Sequence, residues 1–165
     1  MSHDVELLGY LDTELRVRFG ETDRFGYMWH GWVLAYFERA RADIARRFDL
    51  TPSQLLEFDL TVPMVDLRIS YKNVAYDDEE LTVQATLLRH RLRLPVLEFF
   101  YRIMKRDQPV EVARGWTKQV LLKTSGKMST RIPPEVTARM QTVHAHLETC
   151  PRWDDDLARF FLDWR

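Results

Sequence analysis

The feature that most limits the fold is a change of period at His30. Upstream, Leu15, Val17 and Phe19 alternate with Glu14, Arg16 and Arg18, the pattern of a strand with one buried face over residues 14–19. From residue 30 the apolar side chains fall at helical spacing: Val33, Phe37, Ala40, Ile44 and Phe48, with Glu38, Arg39, Arg41, Asp43, Arg46 and Arg47 around the rest. This predicts an amphipathic helix of roughly five turns, about 27 Å long. A helix of that length with one apolar stripe must lie against something wide.

The downstream sequence supplies a sheet. Thr51-Pro52-Ser53 reads as a cap with proline at the first helical position, predicting a short helix over residues 52–58. Leu67, Ile69 and Tyr71 then alternate with polar residues, Asp77-Asp78 is a turn, and Leu81, Val83, Ala85 and Leu87 alternate again. Residues 96–104 are apolar on both parities, which predicts a central strand. Residues 109–123 form a further run, with Gly115 as a candidate bulge. Pro133-Pro134 opens a second helix striped by Val136, Met140, Val143 and Leu147 and stopped by Pro151. Trp153, Leu157, Phe160, Phe161 and Trp164 make a third stripe behind the acidic Asp154-Asp155-Asp156. Consecutive strands joined by short turns imply an antiparallel sheet, so the fold class is α+β, with the long helix across the concave face.

Composition excludes several functions. The chain has 165 residues and is expected to form one domain over residues 1–165, with a helical extension over about 133–165. Lys plus Arg number 24 and Asp plus Glu 25, a net charge of -1. That gives no global field to hold nucleic acid or an anionic membrane. The most apolar stretch, residues 94–104, is broken by Glu98 and Arg102 and is too short to span a bilayer. The first residues carry Asp4 and Glu6 with no apolar run, so a signal peptide is not expected there. One cysteine, Cys150, makes no intramolecular disulfide and is expected to be inert, and a cytoplasmic location is expected. His144 and His146 are two apart on a helix and point in different directions, so they are not a metal pair. With one cysteine, no phosphate loop and no Gly-x-Gly-x-x-Gly, neither a metal nor a cofactor is expected.

The segment that carries chemistry is Phe19-Gly20-Glu21-Thr22-Asp23-Arg24-Phe25-Gly26-Tyr27-Met28-Trp29-His30-Gly31. A strand ends there and a helix begins. The first turn of a helix offers unpaired N–H groups and a positive dipole end, which can hold a developing oxyanion. A carboxylate nearby could attack a polarised carbonyl or activate water against it. The same residues also suit a plain turn, with Asp23 as its cap and His30 opening the helix.

Glu21-Thr22-Asp23, Gly26 and His30, running into Tyr36-Phe37-Glu38 and Ala40-Arg41, resemble the hotdog-fold acyl-CoA thioesterases of the 4-hydroxybenzoyl-CoA thioesterase-like group. The likeness covers roughly residues 13–125 and includes Tyr76-Asp77-Asp78 ahead of a strand. It implies a hotdog sheet wrapped around the long helix, and dimers whose sheets join edge to edge, often paired into tetramers. The expected assembly is thus a homodimer at least, with a homotetramer beyond it.

Carried over by position, Asp23 is implied as the catalytic carboxylate, acting as nucleophile or as base for a water. The His30 backbone N–H would hold the thioester oxygen. Gly26 would let the loop approach the substrate closely. Glu21 is implied in a surface or turn role rather than in catalysis. The chain departs from the family at Trp32 and Val33, where a small polar residue and then tyrosine are usual. Either Trp32 reshapes the acyl pocket or it turns into an interface. Tyr27 and Trp32 are the expected acyl contacts. Arg91 and Arg93 fall where the family holds the phosphates of CoA, although Arg89-His90-Arg91-Leu92-Arg93 also reads as a solvated hairpin tip. The function implied is hydrolysis of an acyl-CoA thioester to free acid and CoA. An acyl-carrier-protein thioesterase using the same Asp23, and a non-catalytic hotdog module that binds an acyl ligand, are the alternatives.

Overall fold

The computed structural model describes residues 5–92 and 94–164. A five-stranded antiparallel sheet is built from β1 (Leu11–Arg16), β2 (Met64–Tyr71), β3 (Glu80–Leu87), β4 (Val96–Lys105) and β5 (Glu111–Val120). Its spatial order is β1-β3-β4-β5-β2. The strand that is apolar on both parities, β4, sits in the middle, because both of its faces are covered.

One face carries α1 (Trp32–Arg47), which buries Val33, Tyr36, Phe37, Ala40 and Ile44. These pack on Leu81, Val83, Ala85, Phe99, Tyr101 and Ile103 of the sheet. The sheet is thus packed around one long helix, as the hotdog resemblance implies. The short α2 (Pro52–Leu56) starts with a capping box between Thr51 and Gln54. Helix α3 (Pro134–Glu148) adds Val136, Val143 and Leu147 to the same core. The tail helix α4 (Asp155–Trp164) lies on the opposite face. There Trp153, Leu157 and Phe161 close over Leu88, Phe100 and Trp116. Arg102 Nη1 ties this segment down through Asp154 at 3.0 Å. Among the described residues no helix is long and apolar enough to cross a membrane.

Three local expectations change. Phe19, predicted on a buried strand face, is 82% exposed. The strand stops at Arg16, and after Val17 donates to the Glu79 carbonyl at 3.0 Å a 3-10 turn (Phe19–Glu21) carries the chain away from the sheet. The alternating residues of β2 are not deeply buried: Leu67 and Tyr71 are 38% and 51% exposed, because β2 is an edge strand. Gly115 is no bulge. It pairs in register with Tyr101 and Ile69, and the irregularity falls between Ile103 and Met104. The glycine is needed for space instead, since a Cβ there would stand 2.2 Å from the Phe37 ring.

Candidate active site

The chemistry-bearing segment folds into a small hairpin that delivers the chain to α1. Thr22 bridges Met28 in antiparallel fashion. The Asp23 N–H donates to the Tyr27 carbonyl at 2.8 Å, and the Gly26 N–H donates to the Asp23 carbonyl at 3.0 Å. Gly26 sits at φ +78°, a left-handed conformation that strains other residues. Nothing lies within 4 Å of where its Cβ would stand, so the backbone angle rather than crowding calls for glycine.

The Asp23 carboxylate is divided in its duties. Oδ1 accepts the N–H groups of Phe25 at 2.8 Å and Tyr27 at 3.3 Å, an Asx-type turn that fixes the side chain. Oδ2 has no hydrogen-bond partner among the described residues. Capping the turn and offering an oxygen to a ligand are therefore compatible.

At the end of the hairpin Gly31 is the N-cap of α1. Trp32 and Val33 donate to the carbonyls of Trp29 and His30 at 2.9 and 3.2 Å. The N–H groups of His30 and Gly31 have no acceptor among the described residues. They lie at the positive end of the helix, where an oxygen carrying negative charge is favoured. The His30 carbonyl accepts the Tyr71 hydroxyl at 3.0 Å, which ties the helix start to the end of β2. The His30 ring lies 4.9 Å from Trp29 and 6.2 Å, edge-on, from Tyr71.

An aromatic collar surrounds the hairpin. Tyr27 meets Tyr76 edge-on at 5.5 Å and Phe25 at 6.2 Å. Trp29 covers Gly31 so closely that a Cβ there would lie 2.1 Å from the indole. Glu21 is not on the surface: it is 6% exposed. Its Oε2 accepts the Arg18 N–H at 2.9 Å and the Tyr36 hydroxyl at 2.5 Å. Burial, and after it the bond to Glu21, raise the Tyr36 pKa, so this hydroxyl stays a donor.

The expected site residues thus divide. Asp23, Gly26, Tyr27 and His30 share one hairpin. Trp32 stands in the first turn of α1, half-buried against the main core. Arg91 is exposed beyond the far end of β3, beside a cavity of about 550 Å³ shared with Arg131, Met140 and His144. The Asp23 hairpin is bonded instead to residues ahead of β3, since Met28 donates to the Ala75 carbonyl at 2.7 Å. Eight residues of β3 separate the two ends, about 26 Å at the usual rise. One chain does not bring Arg91 to its own Asp23. Arg93 lies outside the described residues. Sequence reasoning missed Tyr36, Tyr71 and Gly31 as parts of the site. A tyrosine in a fully buried helix stripe was the available signal, since its hydroxyl needs a partner.

Comparison with known proteins identifies the family and the fold. The pattern of the Thioesterase superfamily matches residues 25–111, more than half of the chain, beginning two residues after Asp23. A protein of Aquifex aeolicus that carries the provisional name of an esterase is 31% identical over 121 residues, covering 73% of this chain and 90% of the relative. A solved structure from Aquifex aeolicus superposes with a TM-score of 0.69 at 29% identity, over 78% of this chain and 98% of that one. A 1,4-dihydroxy-2-naphthoyl-CoA thioesterase from Synechocystis shares the fold, with a TM-score of 0.72 at 18% identity, over 81% of this chain and 96% of the other. A sheet packed around one helix, a carboxylate hairpin at that helix's start, and these likenesses together mean that the chain belongs to the hotdog-fold thioesterase superfamily and is a thioester hydrolase.

Proposed function

We propose that the chain hydrolyses acyl-CoA thioesters, with Asp23 as the reacting carboxylate and the helix start at His30 as the oxyanion support. The observation that carries this reading is the division of Asp23: Oδ1 is held by two N–H groups while Oδ2 is open. The unpaired His30 and Gly31 N–H groups sit at the other end of the same hairpin. A thioester carbonyl oxygen lying on them would gain charge-assisted hydrogen bonds as it becomes an oxyanion.

Two routes fit. As base, Asp23 takes a proton from water while the water oxygen adds to the carbonyl carbon. The tetrahedral intermediate then expels the thiolate, which takes up that proton. As nucleophile, Oδ2 adds to the carbon and expels the thiolate, and water then hydrolyses the resulting anhydride. A thioester is reactive enough that positioning plus a fixed dipole supplies much of the catalysis.

Arg91 and Arg93 are proposed to contact CoA phosphates from a second copy of the chain. The open edge of β2, where Val65 and Leu67 are 55% and 38% exposed, supports a homodimer joined at that edge. Antiparallel pairing there would set the far end of one sheet beside the hairpin of the other. Pairing of dimers would give a homotetramer. Tyr27 and Trp32 are proposed to contact the acyl group.

A carrier protein as thioester donor is the second reading. Phe19 and Phe25, 82% and 81% exposed at the hairpin, favour it as apolar contacts for a protein surface. The test is thiol release from matched acyl-CoA and acyl-carrier-protein thioesters. Faster release from CoA that drops in Arg91→Ala supports the first reading. Release only from the carrier supports the second. Binding with no release from either leaves the non-catalytic module.

A further inference from the structure

We propose that Glu21 is a positioning residue for the Asp23 reaction, and this rests on the reading of Asp23 given above. Its backbone and side chain gather both ends of the hairpin and the helix onto one residue. The Glu21 N–H donates to the Arg18 carbonyl at 2.8 Å, and its carbonyl accepts the Trp29 N–H at 2.8 Å. Oε2 accepts the Arg18 N–H at 2.9 Å and the Tyr36 hydroxyl at 2.5 Å. Arg18 precedes the hairpin, Trp29 follows it, and Tyr36 lies in the second turn of α1.

The physical consequence is a closed frame. Asp23 is partly exposed on a loop that contributes few core contacts. Its position against the His30 and Gly31 N–H groups therefore depends on what anchors that loop. Glu21 and Tyr36 are 6% and 1% exposed, so their bond is formed out of water and is rigid. Cutting it frees the hairpin to move relative to the helix start, and a shift of about 1 Å in a reacting group costs up to about a hundredfold in rate. Glu21 is buried, and its Oε2 is taken up by the Arg18 N–H and the Tyr36 hydroxyl, so it acts through the frame rather than on substrate.

Steady-state hydrolysis of a panel of acyl-CoAs by five variants, Asp23→Asn among them, tests this. Tyr36→Phe removes only the hydroxyl and is expected to lower kcat by about ten- to a hundredfold, with KM within about threefold. Glu21→Leu is expected to do the same, and the double variant to be no worse than the poorer single one. Glu21→Gln keeps an oxygen that can accept both bonds and is expected to rescue kcat to within about threefold of wild type, with an unchanged acid limb of the pH profile. Wild-type kcat in Tyr36→Phe overturns the proposal, whether or not Glu21→Leu folds. Loss in Glu21→Gln as deep as in Asp23→Asn also overturns it, by making Glu21 a reacting group. Full activity in Asp23→Asn overturns the reading beneath the proposal, and the proposal with it.

Discussion

Phe37 of α1 occupies the space a side chain at Gly115 would need, its ring lying 2.2 Å from where that Cβ would stand. This contact sets how closely the helix approaches the sheet. The strand carbonyl of Arg68 would also lie 2.9 Å from that Cβ, and this neighbour is backbone, so the added methyl group cannot be accommodated by a side-chain shift alone. Gly115→Ala is expected to cost about 1–3 kcal/mol in urea unfolding, the range for overpacked cores. Adding Phe37→Leu to that variant is expected to recover part of the loss, because the shorter side chain opens the space.

Gly31→Ala behaves differently. The three atoms nearest its Cβ would all belong to the Trp29 indole, the first at 2.1 Å, and Trp29 is 48% exposed. The ring can swing outward, so stability is expected to change by less than about 1 kcal/mol. The collar around the helix start is then broken. The expected signs are a shift in tryptophan emission and a raised KM for thioesters with little change in melting temperature.

His144 predicts an acid-side weakening. Burial, then the nearby charges of Arg89 and His90, lower its pKa from 6.5 to about 4. Between those values the unfolded chain takes up a proton that the folded chain refuses. This contribution is therefore whole above pH 6.5 and is lost as pH falls towards 4, up to about 3 kcal/mol. Denaturant titrations across that window are expected to slope less in His144→Gln.

The tail helix predicts a solubility effect. Phe161 is fully buried against Phe100 at 4.2 Å between ring centroids. Phe161→Ala is expected to cost about 3–5 kcal/mol. Removal of residues 152–165 bares Phe100 and Trp116, and dye binding to apolar surface together with self-association is the expected readout.

Much of this architecture was legible because apolar spacing reports burial directly. The helix from Val33 to Ile44, the central place of β4 and the tail stripe of Trp153, Leu157 and Phe161 all follow from period and parity. What failed was what depends on partners distant in sequence. Phe19 has the parity of a buried residue, but the sheet ends before it. Gly115 reads as a bulge from β5 alone, and its reason, Phe37, lies on another element. That Asp23, Gly26 and His30 share one hairpin at the helix start was visible from the turn chemistry and the family likeness. The burial of Glu21 was not, because a glutamate in a polar loop looks solvated until Tyr36 is folded over it. Nor could spacing show that Arg91 lies a full strand length from its own Asp23, since that distance is set by the direction of β3.

The most direct measurement is thiol release from short, long and aryl acyl-CoAs by wild type and by Asp23→Asn, which keeps Oδ1 as an acceptor for Phe25 and Tyr27 and so preserves the turn. Turnover by wild type is expected, with a loss of at least about a hundredfold in a variant with unchanged circular dichroism and melting temperature. Equal turnover by both chains would contradict it.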